Sequence, residues 1–304
     1  GVSIAMLVGE NGIITQAQRA KEETEKAEQE EREALAALEA ATNVNGGEYK
    51  EGNVTIKIPA GYAISTKEDE NNLKDGLVIL DSLGNEYVWV EVPNDGNGPD
   101  YTRVVSTTEG TDEYYQAIYD AMDDYVGGYA NGSATQNFSD WTDEYYEECG
   151  LEPNEYAKLL HTMLESVYKN GGFWIGRYEA GIDTNRTSHT TINSSSEIPT
   201  SKEGQYPYNY VNINEAQELA SKVSSGNYTS SLMFGIQWDL VMKYLETKGT
   251  ARSDLNSNST SWGNYYNATL TLNRGKYARN GAISTWHDYT EDLENCVLGS
   301  VKQS

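Results

Sequence analysis

The residues of this chain best placed to do chemistry lie in 171–183, GGFWIGRYEAGID. Arg177 and Glu179 are a cation and an anion two positions apart, so on a strand they share one face. Such a pair could belong to an active site, but inside a strand it more often satisfies itself and fixes the fold. Cys149 and Cys296 stand far apart, and neither belongs to a Cys-x-x-Cys or Cys/His ligand spacing, which argues against a zinc or iron–sulfur centre. They form one disulfide in an extracellular setting or remain two free thiols. His161, His189 and His287 do not cluster in sequence. The loop 94–100, NDGNGPD, is rich in oxygen ligands, and calcium is the ion it would take. It lacks the closing glutamate at the twelfth position of an EF-hand and reads as a plain turn. No metal or other cofactor is expected.

Composition narrows the classes of partner. The chain has 304 residues, enough for one large or two ordinary domains. Only 38% of them are apolar, with 23 tyrosines against 3 phenylalanines, which favours a hydrogen-bonding, tyrosine-rich surface. A formal net charge of −25 repels nucleic acid and anionic lipid headgroups, so no nucleic-acid partner is expected. There is no complete membrane span: the one membrane-like stretch, residues 1–8 (GVSIAMLV), is too short to cross a bilayer. It has no initiator methionine and reads as the tail of a longer hydrophobic segment.

Periodicity gives the elements that would position these residues. Residues 13–41 are helical: Ile13, Ala17, Ala20, Ala27, Ala34, Leu35, Leu38 and Ala41 recur mostly three, four or seven apart. The charged residues between them include favourable pairs four apart, such as Glu22 with Lys26. The apolar stripe is narrow and rich in small residues, so the helix either packs along a thin seam or is a solvated spacer. NVNGG at 43–47 ends it. Short strands are expected over 54–65, and a hairpin joins 77–80 to 87–90. Two acidic helices follow over 111–129 and 141–168; the second turns Tyr156, Leu159, Leu160, Met163, Leu164 and Val167 to one face, with His161 on its flank in a structural role. Residues 182–204 form a long Ser/Thr/Asn loop. A helix capped by Asn212 or Asn214 comes next, then one running to about Thr247. The remainder is tyrosine-, asparagine- and serine-rich and reads as irregular. Eight Asn-x-Ser/Thr sequons, at Asn53, Asn131, Asn137, Asn185, Asn193, Asn227, Asn258 and Asn267, arise mostly from composition and are compatible with exposure.

Two resemblances follow from these residues. Gly1-Val2-Ser3-Ile4-Ala5, Leu7, Gly9, Asn11-Gly12-Ile13, Gln16-Ala17 and Ala20-Lys21-Glu22 resemble the amino-terminal region of type IV pilin-like proteins of Gram-positive bacteria. Those pilins keep a whole hydrophobic helix with a glutamate near its start, and that part is absent before Gly1. A prepilin or signal peptidase could make this terminus, and the second would leave an apolar tail free to insert into a neighbour. The blocks 172–179 (GFWIGRYE), 207–211 (PYNYV) and 232–239 (LMFGIQWD) resemble, in order, blocks of the formylglycine-generating-enzyme-like superfamily, a variant of the C-type-lectin fold. The later blocks of that family and its cysteine pair are not matched, so no catalytic residues and no enzyme are expected; an oxidase of the parent family is the remote alternative. Either residues beyond 304 or another subunit would complete the lectin-like core.

The resemblances imply an α+β protein: a long N-terminal helix, then a mixed, loop-rich C-type-lectin-like domain. Residues 1–42 would form the apolar tail and assembly helix, 43–48 a linker and 49–304 the globular domain. Within that domain 171–183 would be the central strand, with Trp174, Arg177, Glu179 and Trp238 fixing the fold. The implied function is a structural subunit of an extracellular, cell-surface filament that polymerises with itself. Gly1, Val2, Ile4, Met6, Leu7, Val8, Ile13, Ile14, Ala17, Ala20, Ala27, Leu35 and Leu38 would make the assembly contacts. The alternative is a surface adhesin that binds a host or surface glycan or protein through Tyr206, Tyr208, Trp262, Tyr265 and Tyr266, since aromatic and small polar residues give adaptable contacts.

Overall fold

The computed structural model of the chain describes residues 13–127, 151, 153–184, 186, 198–226, 228–255, 276–278 and 286–288. These form a mixed α and β protein divided into two compact units, Gly1–Gly84 and Asn85–Ser304. The linker expected at 43–48 therefore falls inside the first unit, and the boundary lies at the exposed turn that ends in Gly84.

In the first unit, helix α1 (Ile13–Thr42) is followed by five strands: β1 (Gly47–Glu51), β2 (Val54–Ile58), β3 (Tyr62–Ile64), β4 (Asn71–Asn72) and β5 (Gly76–Asp81). β1 and β2 form an antiparallel ribbon closed by the two-residue loop Gly52-Asn53, with φ +57° at Gly52, where glycine adopts the left-handed region at no steric cost. β3 and β4 both pair antiparallel with β5. Alternation along β2 buries Ile56 and Ile58, and Ala63, Leu77, Val78 and Ile79 complete the core. Among the α1 residues whose side chains are described, only Ala36 and Ala40 are buried, as the last turns pack against β3 and β5. Small residues there let the helix backbone sit close to the strands.

In the second unit, β6 (Glu86–Glu91) pairs antiparallel with β7 (Gly172–Gly176). Among the described residues no other strand pairs with β7 within this unit, so it is not the central strand expected. Helices α2 (Asp112–Val126), α3 (Pro153–Asn170), α4 (Ile213–Ser221), α5 (Gly235–Thr247) and the short α6 (Arg252–Leu255) make up most of the rest. Thr111 caps α2 by accepting the Tyr114 N–H, and Gly127 ends it at φ +63°. Asn212 is the N-cap of α4, in a reciprocal capping box with Glu215 at 2.9 Å in both directions. The core is built from β6, β7, α2, α3 and α5, with Val90, Ile118, Met122, Leu164, Val167 and Leu240 at its centre. The apolar face of α3 is the expected one: Leu160, Leu164 and Val167 are buried, and Tyr156, Leu159 and Met163 pack partly against them.

Smaller pieces depart from the sequence reading. The region 182–204 is fastened rather than free at its described ends. β8 (Gly181–Ile182) pairs with β9 (Tyr206–Pro207), and Gly181 and Thr200 exchange N–H···O bonds of 2.8 and 2.9 Å. Arg186 and Ser201 are buried. The carboxy-terminal part, expected to be irregular, holds an antiparallel ribbon of β10 (Lys276–Ala278) and β11 (Trp286–Asp288). Among the described residues no helix is long and apolar enough to cross a membrane.

Candidate functional site

Two places carry residues singled out by sequence. The first is α1. Positions two apart on a helix lie about 160° apart, so Leu38 faces away from both Ala36 and Ala40. Ala36 and Ala40 are 1% and 0% exposed, whereas Leu35 and Leu38 are 58% and 62% exposed. Ala20 and Ala27, in line with Leu38, are exposed as well. Seating of the buried face is polar at its margin: Lys67 lies 3.6 Å from Glu33 of α1 and 3.7 Å from the buried Glu70, which accepts the Ser65 hydroxyl at 2.7 Å. The helix end is tied down by Asn43, whose side-chain amide donates to Tyr62 O and whose carbonyl accepts the Gly61 N–H. The apolar stripe read from sequence is thus the outer face of α1 over residues 20–38, and the face that packs within the unit is the opposite one. Gly1, Val2, Ile4, Met6, Leu7 and Val8, and the side chains of Ile13, Ile14 and Ala17, lie outside what is described.

The second place surrounds the GGFWIGRYEAGID segment and the chain that returns to it. Arg177 and Glu179 do not share a strand face as expected, because both lie beyond the end of β7. β7 ends at Gly176, and the Arg177 guanidinium donates to the carboxylate of Glu86 at 2.7 Å while Glu179 lies exposed beyond the strand. Ser201 completes a clasp. Its N–H donates to Asn85 Oδ1 at 2.9 Å and its hydroxyl to Glu86 O at 2.9 Å, while its hydroxyl accepts the Tyr178 N–H at 3.1 Å. A Cβ on Gly176 would come within 3.0 Å of that hydroxyl, so glycine allows the approach. Trp174 packs against Trp89, directly opposite on β6, edge to face at 5.1 Å. Trp238, expected to fix the fold, is 54% exposed on α5, and its helix is held instead by Ile236, Leu240 and Met242.

Of the expected ligand residues, Tyr206 and Tyr208 lie on and just after β9, half-buried, and the structure brings Arg186 and Tyr210 to them. Arg186 donates to the carbonyls of Asn209 and Tyr210 at 3.0 and 3.3 Å, and its guanidinium stands 5.5 Å from the Tyr208 ring centre. Tyr210 has φ +55°, unlike the other described non-glycine residues, and its side chain is 41% exposed. Left-handed backbone costs a bulky residue about 1 kcal/mol or more, and Arg186 helps to hold it. The sequence signal for Arg186 was its standing as the one arginine in the 182–204 loop; Tyr210 fell within the PYNYV block, but nothing there marked its left-handed backbone. Trp262, Tyr265 and Tyr266 lie outside the described residues.

The described titrating groups act within the fold. His161 stacks on Tyr115 with ring centres 3.8 Å apart, and burial holds its pKa below the usual imidazole value against an opposing pull from Asp112. Asp239 is pushed up by burial and by neighbouring Asp123. The carboxylates of the 94–100 loop serve its own backbone, Asp95 accepting the Asn97 N–H and Asp100 the Thr102 N–H. Among the described residues no three His, Cys, Asp or Glu side chains converge as metal ligands would. No family model, curated protein sequence or solved structure matches the chain.

Proposed function

We propose that this protein is a structural subunit of an extracellular, pilus-like filament, assembled through its amino-terminal helix. The observation that carries the reading is the outer face of α1. The helix is about 45 Å long at 1.5 Å per residue, yet it buries only Ala36 and Ala40 in its own unit among the residues whose side chains are described. Leu35 and Leu38 stay in water on the same face as the exposed Ala20 and Ala27. Single exposed apolar residues are ordinary, but a line of them on a long helix is what a partner helix covers. The resemblance of residues 1–26 to Gram-positive pilin-like proteins supports the same reading, with the apolar stretch 1–8 as the segment that inserts into a neighbour. Burying it would contribute several kcal/mol at about 25 cal/mol per Å². Deleting residues 1–8 should abolish polymers seen by negative-stain microscopy while leaving the circular dichroism of the folded units intact. Polymers that persist without these residues would sink the proposal.

A second reading shares the molecule with the first: display of a lectin-like, non-catalytic binding surface. The observation that favours it is Tyr210, an exposed aromatic held in left-handed backbone beside Tyr206 and Tyr208. Backbone strain of this kind persists where the surroundings enforce it, and it concentrates at binding sites. The order of the blocks at 172–179, 207–211 and 232–239 supports assigning the second unit to the formylglycine-generating-enzyme-like variant of the C-type-lectin fold. A glycan array probed with the full chain and with Tyr210→Ala tests the display reading, and silence of both would remove it.

A further inference from the structure

The ribbon of β1 and β2 offers a strand edge built to pair with its own copy. Its register runs Gly47↔Ile58, Glu48↔Lys57, Tyr49↔Ile56, Lys50↔Thr55 and Glu51↔Val54. A two-residue loop closes on a hydrogen-bonded pair, here Glu51 and Val54, and such pairs alternate along an antiparallel ladder. Tyr49↔Ile56 and Gly47↔Ile58 are then the other bonded pairs, so the backbone N–H and C=O groups of Glu48 and Lys50 point away from β2. Among the described residues, no backbone–backbone hydrogen bond beyond the ribbon involves Glu48 or Lys50. Among the described residues the edge is open, and the side chains beside it are exposed: Glu48 at 45% and Lys50 at 67%.

We propose that this edge is a self-association site, at which β1 pairs antiparallel with β1 of a second copy about a two-fold axis at Tyr49. The sequence selects the register. With Tyr49 opposite Tyr49 of the partner subunit, each Glu48 faces the other copy's Lys50, and the four outward backbone groups of each strand exchange four N–H···O bonds. Glu48 and Lys50 already lie on one face, 3.1 Å apart, so the contact creates a quartet in which each charge has opposite charges beside it and across from it. Lys57, across from Glu48 within the ribbon, extends the alternation. Centring the contact on residue 48 or 50 would set like charges against each other, which disfavours both slipped registers. The inner face is complementary too, since the two tyrosines meet directly across the strands. An exposed edge with interspersed charges resists indiscriminate pairing, and here the same charges admit one partner. The site is independent of α1 and does not rest on the filament reading.

Sedimentation velocity of the full chain tests it, in about 150 mM salt so that the repulsion of two strongly acidic copies is screened beyond roughly 8 Å. Wild type should dimerise reversibly. Glu48→Lys and Lys50→Glu should each weaken association by about tenfold or more, because each sets like charges opposite one another twice. Mixing the two variants should restore it as a heterodimer, and the double exchange E48K/K50E should restore the homodimer; Leu38→Glu should not change it. A wild type that stays monomeric at about 0.5 mM, charge variants that associate like wild type, or a mixture that forms no heterodimer would each overturn the proposal. Far-UV circular dichroism of every variant identifies any that fails to fold, and the double exchange then carries the test.

Discussion

Arg177 and Glu86, 91 residues apart in sequence, are joined by a 2.7 Å charge-assisted hydrogen bond at the end of the β6–β7 pair. The bond is reinforced by the backbone, since the Arg177 N–H donates to Glu86 O at 3.0 Å. Neither side chain is fully exposed, so the pair is screened less than a surface ion pair. Glu86→Gln and Arg177→Met should each lower unfolding free energy by about 1–2 kcal/mol in urea titrations. Glu179→Gln should cost less than either.

Ser201 holds the other side of the same corner. Its hydroxyl both donates to Glu86 O and accepts from the Tyr178 N–H, so Ser201→Ala removes the bond to Tyr178 and one of the two bonds to Glu86 O, the other coming from the Arg177 N–H. A loss of about 1–3 kcal/mol is expected, from chemical denaturation. Trp238→Ala, by contrast, removes an exposed side chain and should shift stability by no more than about 0.5 kcal/mol.

The two faces of α1 should separate experimentally. Ala40→Leu forces bulk into a filled contact with β3 and β5 and should destabilise the first unit by about 1–3 kcal/mol. Leu35→Glu with Leu38→Glu should leave its thermal unfolding unchanged and abolish polymers in electron micrographs. Retained polymers in the second variant would remove α1's outer face as the assembly surface.

His161 gives a pH test with a definite sign. Burial keeps its folded pKa below the unfolded value, so the unfolded chain binds the extra proton first. Stability contributed by the neutral ring is complete above the unfolded pKa and is lost as pH falls through about 6.5 toward the folded value. His161→Phe preserves the stack on Tyr115 and should flatten that part of the stability–pH curve.

Asp239 titrates in the opposite sense. Its pKa is raised by burial and by Asp123, so the fold favours its protonated form and loses that contribution as pH rises through the folded pKa. Asp239→Asn should raise the melting temperature at neutral pH and have little effect near pH 3.

Much of the local structure was legible because it follows from local chemistry. The period of α3, the Asn212 cap and the strand at 172–176 depend on side chains near in sequence. The partners of Arg177 and Ser201 did not follow, because Glu86 and Asn85 lie some 90 to 116 positions away. The face of α1 that its own unit takes did not follow either: alanines at 36 and 40 suit close packing on strands, and a period alone does not say which face the domain takes. Trp238 was expected to fix the fold from the resemblance of its block, yet α5 turns Ile236, Leu240 and Met242 inward instead.

The clasp at Ser201 also sets an order of events during synthesis. The 84 residues of the first unit leave the ribosome as a complete set. β6 follows at once, but its β7 partner begins at Gly172 and its Ser201 fastener is 116 residues beyond Asn85. At about 5–20 residues per second, the β7-facing edge of β6 waits roughly 6–20 s for its seal. A ribosome stalled within that interval displays a Val- and Trp-containing strand with an unpaired edge, which exposes this stretch of translation to misassembly.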